Sequence, residues 1–284
     1  MRRLLRSPGT VIPAAILTIV VLFAVFGNFL TEHAYDASNL LKRNKPPVFA
    51  GGTWEFPLGT DALGRDLLAR IVFGVRISLG LALAGTLVGA CIGTFLGLIA
   101  ARAPRFLGQL IDAAIDLQAA IPFMIIALAV LAIFGNSLTL FVLLLGVYGW
   151  ENYARLVRGT ALSAHTLLYV DAARAIGVSP VVIDFRHILP TVLNVIVVQV
   201  TLNFPQTILL ETGLSFLGLG VQPPLTSLGQ LLGEGRDSLA RAWWLSVVPG
   251  TIIFLTTLAV SLLGDGLRDR LDPSLRNQGT GRDA

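Results

Sequence analysis

The chain is poor in the residue types that most catalytic and metal sites need. It has a single cysteine, Cys91, so it can form no intrachain disulfide. Its only two lysines, Lys42 and Lys45, do not follow a glycine, whereas the phosphate loop of a nucleotide-binding protein contains a Gly-Lys pair. The three histidines are scattered and lack metal-ligand spacing. We therefore predict no catalytic residue, no metal and no cofactor in this chain, and no ATP hydrolysis by this chain alone.

Charged residues are also scarce. They make up 13% of the sequence, 54% is hydrophobic, and the mean hydropathy is +0.76. Because soluble domains carry about a quarter charged residues, this composition predicts an all-α protein that crosses a membrane several times. Six apolar segments approach the roughly 20 residues that a span requires. They are 11–31, 77–101, 117–135, 138–157, 191–213 and 245–264, of which the fourth has the shortest clean apolar run.

The basic N-terminus and the apolar run after it have the order of a signal peptide. The run from Val11 to Leu30 is longer than a signal-peptide core, and no clear cleavage site follows it. We therefore interpret it as an uncleaved first span.

The distribution of basic residues predicts that both termini are cytoplasmic. In that orientation 13 of the 21 basic residues lie inside, as the positive-inside rule requires. These are Arg2, Arg3, Arg6, Arg102, Arg105, Arg155, Arg158, Arg174, Arg186, Arg268, Arg270, Arg276 and Arg282. The loop between spans four and five is then cytoplasmic.

The spans suggest three regions. Residues 1–76 hold the first span, an external loop and, at 62–77, either an interfacial amphipathic helix or a simple extension of span two. Residues 77–275 form a core of five spans with the loop 155–190, and 276–284 form a polar tail. Residues 214–244, rich in glycine and proline, predict an external loop with a re-entrant or surface helical piece.

Several residues inside the spans suggest packing or pathway roles. Glycines repeat every four residues along span two, which allows another helix to approach closely, from this chain or from another. They are Gly85, Gly89, Gly93 and Gly97. Pro122 and Pro205 predict kinks beside a pathway or within an ordinary bundle. Glu211 is the one notable acid in a span, and its distance from Pro190 predicts an interfacial, structural position near the outer surface.

Residues 171–190 contain a helix stop followed at once by a helix start. Alanines favour the first helix, and Gly177 can adopt the left-handed conformation that ends it. Ser179 is a candidate N-cap, Pro180 suits the first helical position, and Pro190 predicts the next boundary. This pattern is typical either of a surface held by another protein or of an ordinary loop that covers the bundle.

The same segment resembles the EAA-type motif of ABC importer permeases. Asp171-Ala172-Ala173, Gly177 and Leu189-Pro190 match it, while Asp171 replaces the usual glutamate and His187 occupies the usual isoleucine position. In that family the motif forms coupling helices that sit in a groove of an ATPase subunit. The residues that the resemblance assigns to this contact are Asp171, Ala172, Ala173, Arg174, Gly177, Val178, Ser179, Pro180, His187, Leu189 and Pro190.

Three further signatures resemble the dipeptide/oligopeptide/nickel branch of these permeases, of the DppC/OppC type. They are Pro57–Asp61 with Leu63–Asp66, Leu214–Gly220, and Leu263–Asp269 with Leu271–Pro273. The resemblance implies a type I ABC importer fold in a bacterial inner membrane. The implied partners are a second homologous permease, two ATPase subunits (or one heterodimer) that bind ATP and Mg²⁺, an extracytoplasmic solute-binding protein and membrane lipid, with no nucleic acid.

Two other classes compete with this interpretation. A secondary transporter would need a central ion-binding cluster or an inverted repeat, and neither is apparent in the sequence. A membrane scaffold without transport activity is the second alternative. The solute stays open among dipeptides, oligopeptides, nickel chelates, glutathione and other small molecules.

Overall fold

The computed structural model describes residues 8–271, and these are mainly helical, as the composition predicts. Apart from one bridge between Thr60 and Asp66, this part of the chain has no β-structure. The tail 276–284 and the arginines at 2, 3 and 6 lie outside the described residues. The helices are α1 (Pro8–Phe26), α2 (Leu67–Arg102), α3 (Arg105–Ala120), α4 (Phe123–Phe134), α5 (Leu138–Val147), α6 (Trp150–His165), α7 (Leu168–Ala175), α8 (Pro180–Ile183), α9 (Leu189–Phe216), α10 (Leu228–Arg236) and α11 (Trp244–Leu271).

Four helical stretches of the described chain are long and apolar enough to cross a membrane. They are Gly9–Leu30, Leu67–Arg102, Pro180–Phe216 and Trp244–Asp269. A fifth span is possible if α3 and α4, which meet at an angle of 87°, count as one broken crossing.

The structure does not confirm six spans. The predicted span 117–135 straddles the bend between α3 and α4, where Pro122 immediately precedes α4. A proline lacks the N–H that would continue the first helix, so the break falls at this residue. The predicted span 138–157 is divided between α5 and α6 at Gly149, whose φ of +81° is a left-handed conformation that interrupts a helix.

The segment at 62–77 is an extension of span two and not a separate interfacial helix. Asp66 caps α2 by accepting the Leu68 N–H, and the helix then continues unbroken to Arg102. The apolar residues Leu67, Ile71 and Val75 are buried against α1, α10 and α11. The apolar stripe that suggested a membrane surface therefore packs against protein.

The glycine stripe of α2 faces α5 and α6 of the same chain. A Cβ added at Gly85 would lie 2.7 Å from Leu145 Cβ, and one at Gly97 would lie 2.7 Å from the Ala154 carbonyl oxygen. Gly89 and Gly93 lie against the backbone between Gly146 and Ala154. This close backbone approach makes α2 the central helix of the bundle.

The segment between α9 and α11 contains the predicted helical piece, α10. Its N-cap Ser227 accepts the Gln230 N–H, and its Leu228 and Leu231 are buried with α1, α2 and α11. Trp244 is also buried in this cluster, whereas Trp243 is exposed. The helix therefore packs into the end of the bundle at which α2 and α11 begin.

Candidate functional site

The first helix of the predicted coupling segment, α7, ends in a Schellman turn at Gly177. The Val178 N–H donates to the Ala173 carbonyl at 3.1 Å, and the Gly177 N–H donates to the Arg174 carbonyl at 3.0 Å. Gly177 has φ +80°, and a Cβ built there would meet nothing within 4 Å. The requirement for glycine is therefore conformational and not a matter of space.

The second helix starts at Pro180, as its sequence predicts, but two details differ. Ser179 occupies the N-cap position, yet its side chain caps no N–H of this helix in the described chain; its carbonyl accepts the Ile183 N–H. Pro190 does not end a helix, because 184–188 form a wider π-type turn in which the Leu189 N–H donates to the Asp184 carbonyl. This wider turn accommodates the proline ring, and the helix continues into α9.

The two predicted coupling helices are α7 and the helical segment 180–188. Each has one buried face and one exposed face. Val170, Ala173, Ile183 and Ile188 pack with Ala161 and Ala164 near the end of α6, forming a small apolar core. The other face exposes large apolar side chains: Leu168 (87%), Ile176 (81%), Phe185 (58%), Val181, Val182 and Tyr169. An exposed apolar surface of this kind, on a firmly packed element, is typical of a protein-binding site.

Charged side chains join the two coupling helices to the ends of α6 and α2. Arg174 contacts Asp171 at 3.1 Å and the His165 Nδ1 at 3.0 Å. The His165 Nε2 lies 3.3 Å from one oxygen of Asp184, and Arg102 contacts the other oxygen at 3.3 Å. We did not predict His165 or Asp184; the only sequence signal is an aspartate after an apolar helical turn.

His187, the second departure from the motif, lies beside Tyr169 of α7. Their ring centroids are 6.1 Å apart at an angle of 48°, and the Tyr169 hydroxyl is 3.4 Å from Thr191 Oγ1. Leu189 and Pro190 form the first turn of α9. Tyr169, just before the motif begins, therefore contacts residues at the end of the motif, across the loop between the two helices.

Glu211, which the sequence places near the outer surface, is enclosed by protein. It is 0% exposed, and Ser215 Oγ donates to its Oε1 at 2.8 Å. The hydroxyls of Ser78 and Ser227 face the same carboxyl, although Oε2 makes no direct hydrogen bond by strict geometry within the described residues. The carboxylate thus lies where α2 and α9 meet the N-terminal end of α10. Pro205, another pathway candidate, lies inside α9 and is also buried.

Residues 93–277 match the family described as the binding-protein-dependent transport system inner membrane component. Residues 1–47 match the N-terminal TM domain of oligopeptide transport permease C. The chain belongs to the binding-protein-dependent permease family. This permease is therefore a multi-pass inner-membrane protein and a transport subunit of an ABC importer.

Similar proteins cover nearly the whole permease. The di/tripeptide transport system permease protein DppC of Pseudomonas aeruginosa is 38% identical over 91% of this chain and 86% of its own. The glutathione transport system permease protein GsiD of Pectobacterium atrosepticum is 38% identical over 97% and 90%. The oligopeptide transport system permease protein OppC of Escherichia coli is 36% identical over 97% and 90%.

Solved structures show the same fold. An inward-facing MetNI methionine ABC transporter matches with a TM-score of 0.58 at 19% identity, covering 72% of this permease and 96% of that chain. An amino acid ABC transporter crystallised with histidines matches with a TM-score of 0.54 at 16% identity, over 72% and 93%. The type I importer fold of this chain agrees with both.

The Pro57–Asp66 signature of the permease folds around Asp61. Its Oδ1 accepts the N–H groups of Leu63 and Arg65 at 2.8 and 2.9 Å, and its Oδ2 lies 2.6 Å from both the Arg65 Nε and the Arg70 guanidinium. Arg70, which is 2% exposed, also contacts Glu234 of α10 at 2.6 Å. Two arginines and two carboxylates balance here, so the cluster joins the external loop to α10 without excess charge.

No group of three or more histidine, cysteine or acidic side chains that could hold a metal occurs in residues 8–271. The acid that caps α2, Asp66, has a perturbed pKa. Burial raises the pKa of the Asp66 carboxyl, and this effect exceeds the opposing one of the Leu68 N–H that it accepts.

Proposed function

We propose that this permease forms half of the translocation pathway of an ATP-driven importer of dipeptides, oligopeptides or a related small solute. The names of its relatives support this range, since they transport di/tripeptides, oligopeptides and glutathione. Two of these three names specify peptides, so a peptide is the substrate class that we propose first.

The proposed assembly has four kinds of partner. A second homologous permease completes the pathway, and two ATPase subunits, identical or as one heterodimer, bind on the cytoplasmic side. An extracytoplasmic solute-binding protein delivers the solute, and lipid surrounds the spans. ATP and Mg²⁺ bind in the ATPase subunits, and this chain itself holds no cofactor. Both termini of the permease are proposed to be cytoplasmic.

The coupling segment, residues 168–190, is the proposed contact with an ATPase subunit. The observation that carries this proposal is the exposed apolar face of two short helices whose other face is packed against the end of α6. Leu168, Ile176 and Phe185 would enter a groove of the ATPase. A capped, packed helix pair transmits a displacement better than a flexible loop would.

Coupling requires that the segment make different contacts in two states of the transporter. In the proposed mechanism, ATP-driven closure of the ATPase subunits moves both coupling helices together. Because residues 180–216 are continuously helical, motion of the second coupling helix is motion of α9. Access to the pathway then changes from one side of the membrane to the other.

Replacing Gly177 by Val tests the proposal at its turn. A left-handed conformation costs an L-residue about 1–2 kcal/mol, and β-branching adds to this cost. We expect about tenfold weaker retention of ATPase subunits, or about a tenfold lower ratio of transport to ATP hydrolysis. Co-purification after mild detergent extraction and transport in proteoliposomes measure these effects.

Gly218→Val is the matched control. Gly218 has φ +80° and also has nothing within 4 Å of an added Cβ, and it ends α9 in the same type of Schellman turn, outside the coupling segment. This variant carries comparable backbone strain and should retain ATPase binding and coupling. Full assembly and transport in Gly177→Val would contradict the proposed role of the coupling segment.

The solute is identified by binding measurements on the partner solute-binding protein. We expect saturable binding of a dipeptide or short peptide, followed by uptake that depends on this permease. Tight binding of nickel chelates or glutathione with no peptide binding would replace the proposed substrate class and leave the transport function intact.

The two alternatives, a secondary transporter and a membrane scaffold, predict different behaviour of purified protein. A secondary transporter alone would move solute on a proton gradient, and a scaffold would assemble without any solute transport. Either result would contradict an ATP-driven importer subunit.

A further inference from the structure

A chain of four polar contacts runs from the exposed side of the coupling segment to the end of α2. It passes from Asp171 to Arg174, His165, Asp184 and Arg102, with successive separations of 3.1, 3.0, 3.3 and 3.3 Å. These residues belong to α7, α6, the turn after α8, and α2. Every contact after the first crosses from one helical element to another.

His165 lies in the middle of this series of contacts, with Arg174 beside one ring nitrogen and Asp184 beside the other. A guanidinium only donates hydrogen bonds, so the His165 Nδ1 accepts from Arg174. The ring proton then lies on Nε2, which is 3.3 Å from Asp184 Oδ1, a close polar contact that lacks hydrogen-bond geometry within the described residues. Arg174 also contacts the His165 carbonyl at 3.4 Å, so both the side chain and the backbone at the end of α6 are held.

Asp184 is the buried member of the chain. Its side chain is 8% exposed, and its two oxygens face different helices, one toward His165 of α6 and the other toward Arg102 of α2. Its own carbonyl accepts the π-type hydrogen bond from Leu189 at the start of α9. One residue therefore connects the second coupling helix to α6, to α2 and to the start of α9.

The apolar core beneath the coupling segment does not explain this arrangement. Val170, Ala173, Ile183 and Ile188 already hold the two helices against α6 by non-directional packing. Hydrogen bonds and ion pairs add fixed directions and lengths. Such contacts resist sliding of the coupling helices over the ends of α2 and α6.

We propose that His165 and Asp184 are positioning residues that transmit displacement of the coupling helices to α2 and α6. This inference rests on the proposed function, since it requires that an ATPase subunit moves residues 168–190. Arg174 and Arg102 complete the connection at its two ends. Without it the ATPase subunits still bind, but part of their movement is lost as sliding.

The test uses the complete transporter, with its partner permease, ATPase subunits and solute-binding protein, in lipid nanodiscs and proteoliposomes. Three quantities are measured: the amount of bound ATPase, the rate of ATP hydrolysis, and the number of solute molecules moved per ATP. For His165→Ala and Asp184→Asn we expect normal ATPase binding with about a fivefold lower transport-to-ATP ratio. This ratio corresponds to about 1 kcal/mol, the size of one lost hydrogen bond.

His165→Gln is the conservative variant, because a carboxamide can accept from Arg174 and donate to Asp184. It should restore the transport-to-ATP ratio to within about twofold of the original. Arg155→Ala is the matched control on α6, since the exposed Arg155 pairs with the exposed Asp116 at 3.2 Å and lies outside the contacts of His165 and Asp184. It should leave the ratio unchanged.

Arg174→Ala provides a variant whose folding we expect to be unchanged, because the Arg174 side chain is 49% exposed. Its loss of coupling should match that of His165→Ala, and the double variant should lose no more than either single variant, as expected within one connected chain. An unchanged transport-to-ATP ratio in assembled Arg174→Ala and Asp184→Asn complexes would overturn the inference. Failure of the original permease to retain ATPase subunits would instead overturn the proposed function.

Discussion

Two opposing effects act on the carboxyl group of Asp66 at the start of α2: helix capping and burial. Its carboxylate accepts the Leu68 N–H at 2.9 Å and so caps the helix, which favours the charged form. Its burial (2% exposed) has the larger effect and raises the pKa of this carboxyl. The cap is therefore obtained with a carboxylate that is partly deprived of water.

Asp66→Asn should stabilise the permease at neutral pH. An asparagine caps a helix about as well as aspartate but carries no charge to desolvate. Because the folded-state pKa is raised, Asp66 favours folding fully only below the unfolded pKa of about 3.9, and this contribution is lost as pH rises through the folded value. The difference in melting temperature should thus be largest near pH 7 and shrink on acidification.

His33 is the group that could obscure this result, since its Nδ1 lies 3.6 Å from Asp66 Oδ2. Thermal unfolding in detergent between pH 4 and 8 should therefore be repeated in a His33→Gln background. A melting-temperature difference that grows as pH falls in both backgrounds would be incompatible with a burial-raised pKa.

At the scale of single residues, the sequence predicts those backbone features that depend only on neighbouring residues in the chain. The left-handed Gly177 and the first-turn Pro180 follow from local backbone rules and occur in the structure. The burial of Glu211 could not be predicted in this way. Counting residues from Pro190 gives its place along α9, but it does not show that α10 folds back over α9 and covers this residue, as the close approach of Gly229 to Thr212 and Ser215 shows.

Among the helices, α2 depends most on close backbone contact. An added Cβ at Gly93 would lie 2.6 Å from Tyr153 Cβ and would also overlap the Trp150 carbonyl oxygen. Gly80 lies on the same helix and is exposed, with nothing within 4 Å of an added Cβ. The two glycines therefore separate the effect of packing from that of helix propensity.

Gly93→Ala should destabilise the permease by about 1–3 kcal/mol, because the methyl group must displace the α6 backbone. Gly80→Ala should be neutral or slightly stabilising, since alanine favours a helix more than glycine does. Size-exclusion profiles and melting temperatures of the purified variants measure the difference. Equal melting temperatures for the two variants would show that the glycine stripe does not set the distance between α2 and α6.

The sequence predicts the glycine stripe but not which helix it contacts. Spacing along one helix defines a face, whereas the contacting partner depends on where α5 and α6 fold. For the same reason, the sequence predicts some spans correctly and others not. Apolar length correctly identifies α1, α2, α9 and α11, but the breaks at Pro122 and Gly149 divide two runs whose composition alone suggests continuous crossings.

Across the whole molecule, the contacts of Arg70 hold together the end of the bundle at which α2 begins. The loop 57–66 meets α2 at Asp61, and α10 meets it at Glu234, both within 2.6 Å of the Arg70 guanidinium. These contacts join residues that are far apart in sequence. The Pro57–Asp66 signature therefore contributes to the assembly of this end of the bundle.

Arg70→Met should destabilise the permease by about 3 kcal/mol, because Asp61 would stay buried with one cation fewer. Limited proteolysis should then cut the external loop faster, and the melting temperature should fall. Arg236→Met, which removes an exposed pair with Asp237, should change stability by less than about 1 kcal/mol. Equal sensitivity of the two variants would mean that Arg70 is not a structural connection between the loop and α10.

Helix α2 contains 36 residues and is therefore about 54 Å long, well beyond the roughly 30 Å of the membrane core. Arg70 lies in its first turn and Arg102 is its last residue, about 48 Å apart, with the glycine contacts to α5 and α6 between them and nearer to Arg102. If the helix pivots at these glycines, its two arms are about 31 and 16 Å long. A tilt of about 10° would then move the Arg70 end by about 5.5 Å and the Arg102 end by about 3 Å in opposite directions, so a small displacement at Arg102 becomes a larger one at Arg70.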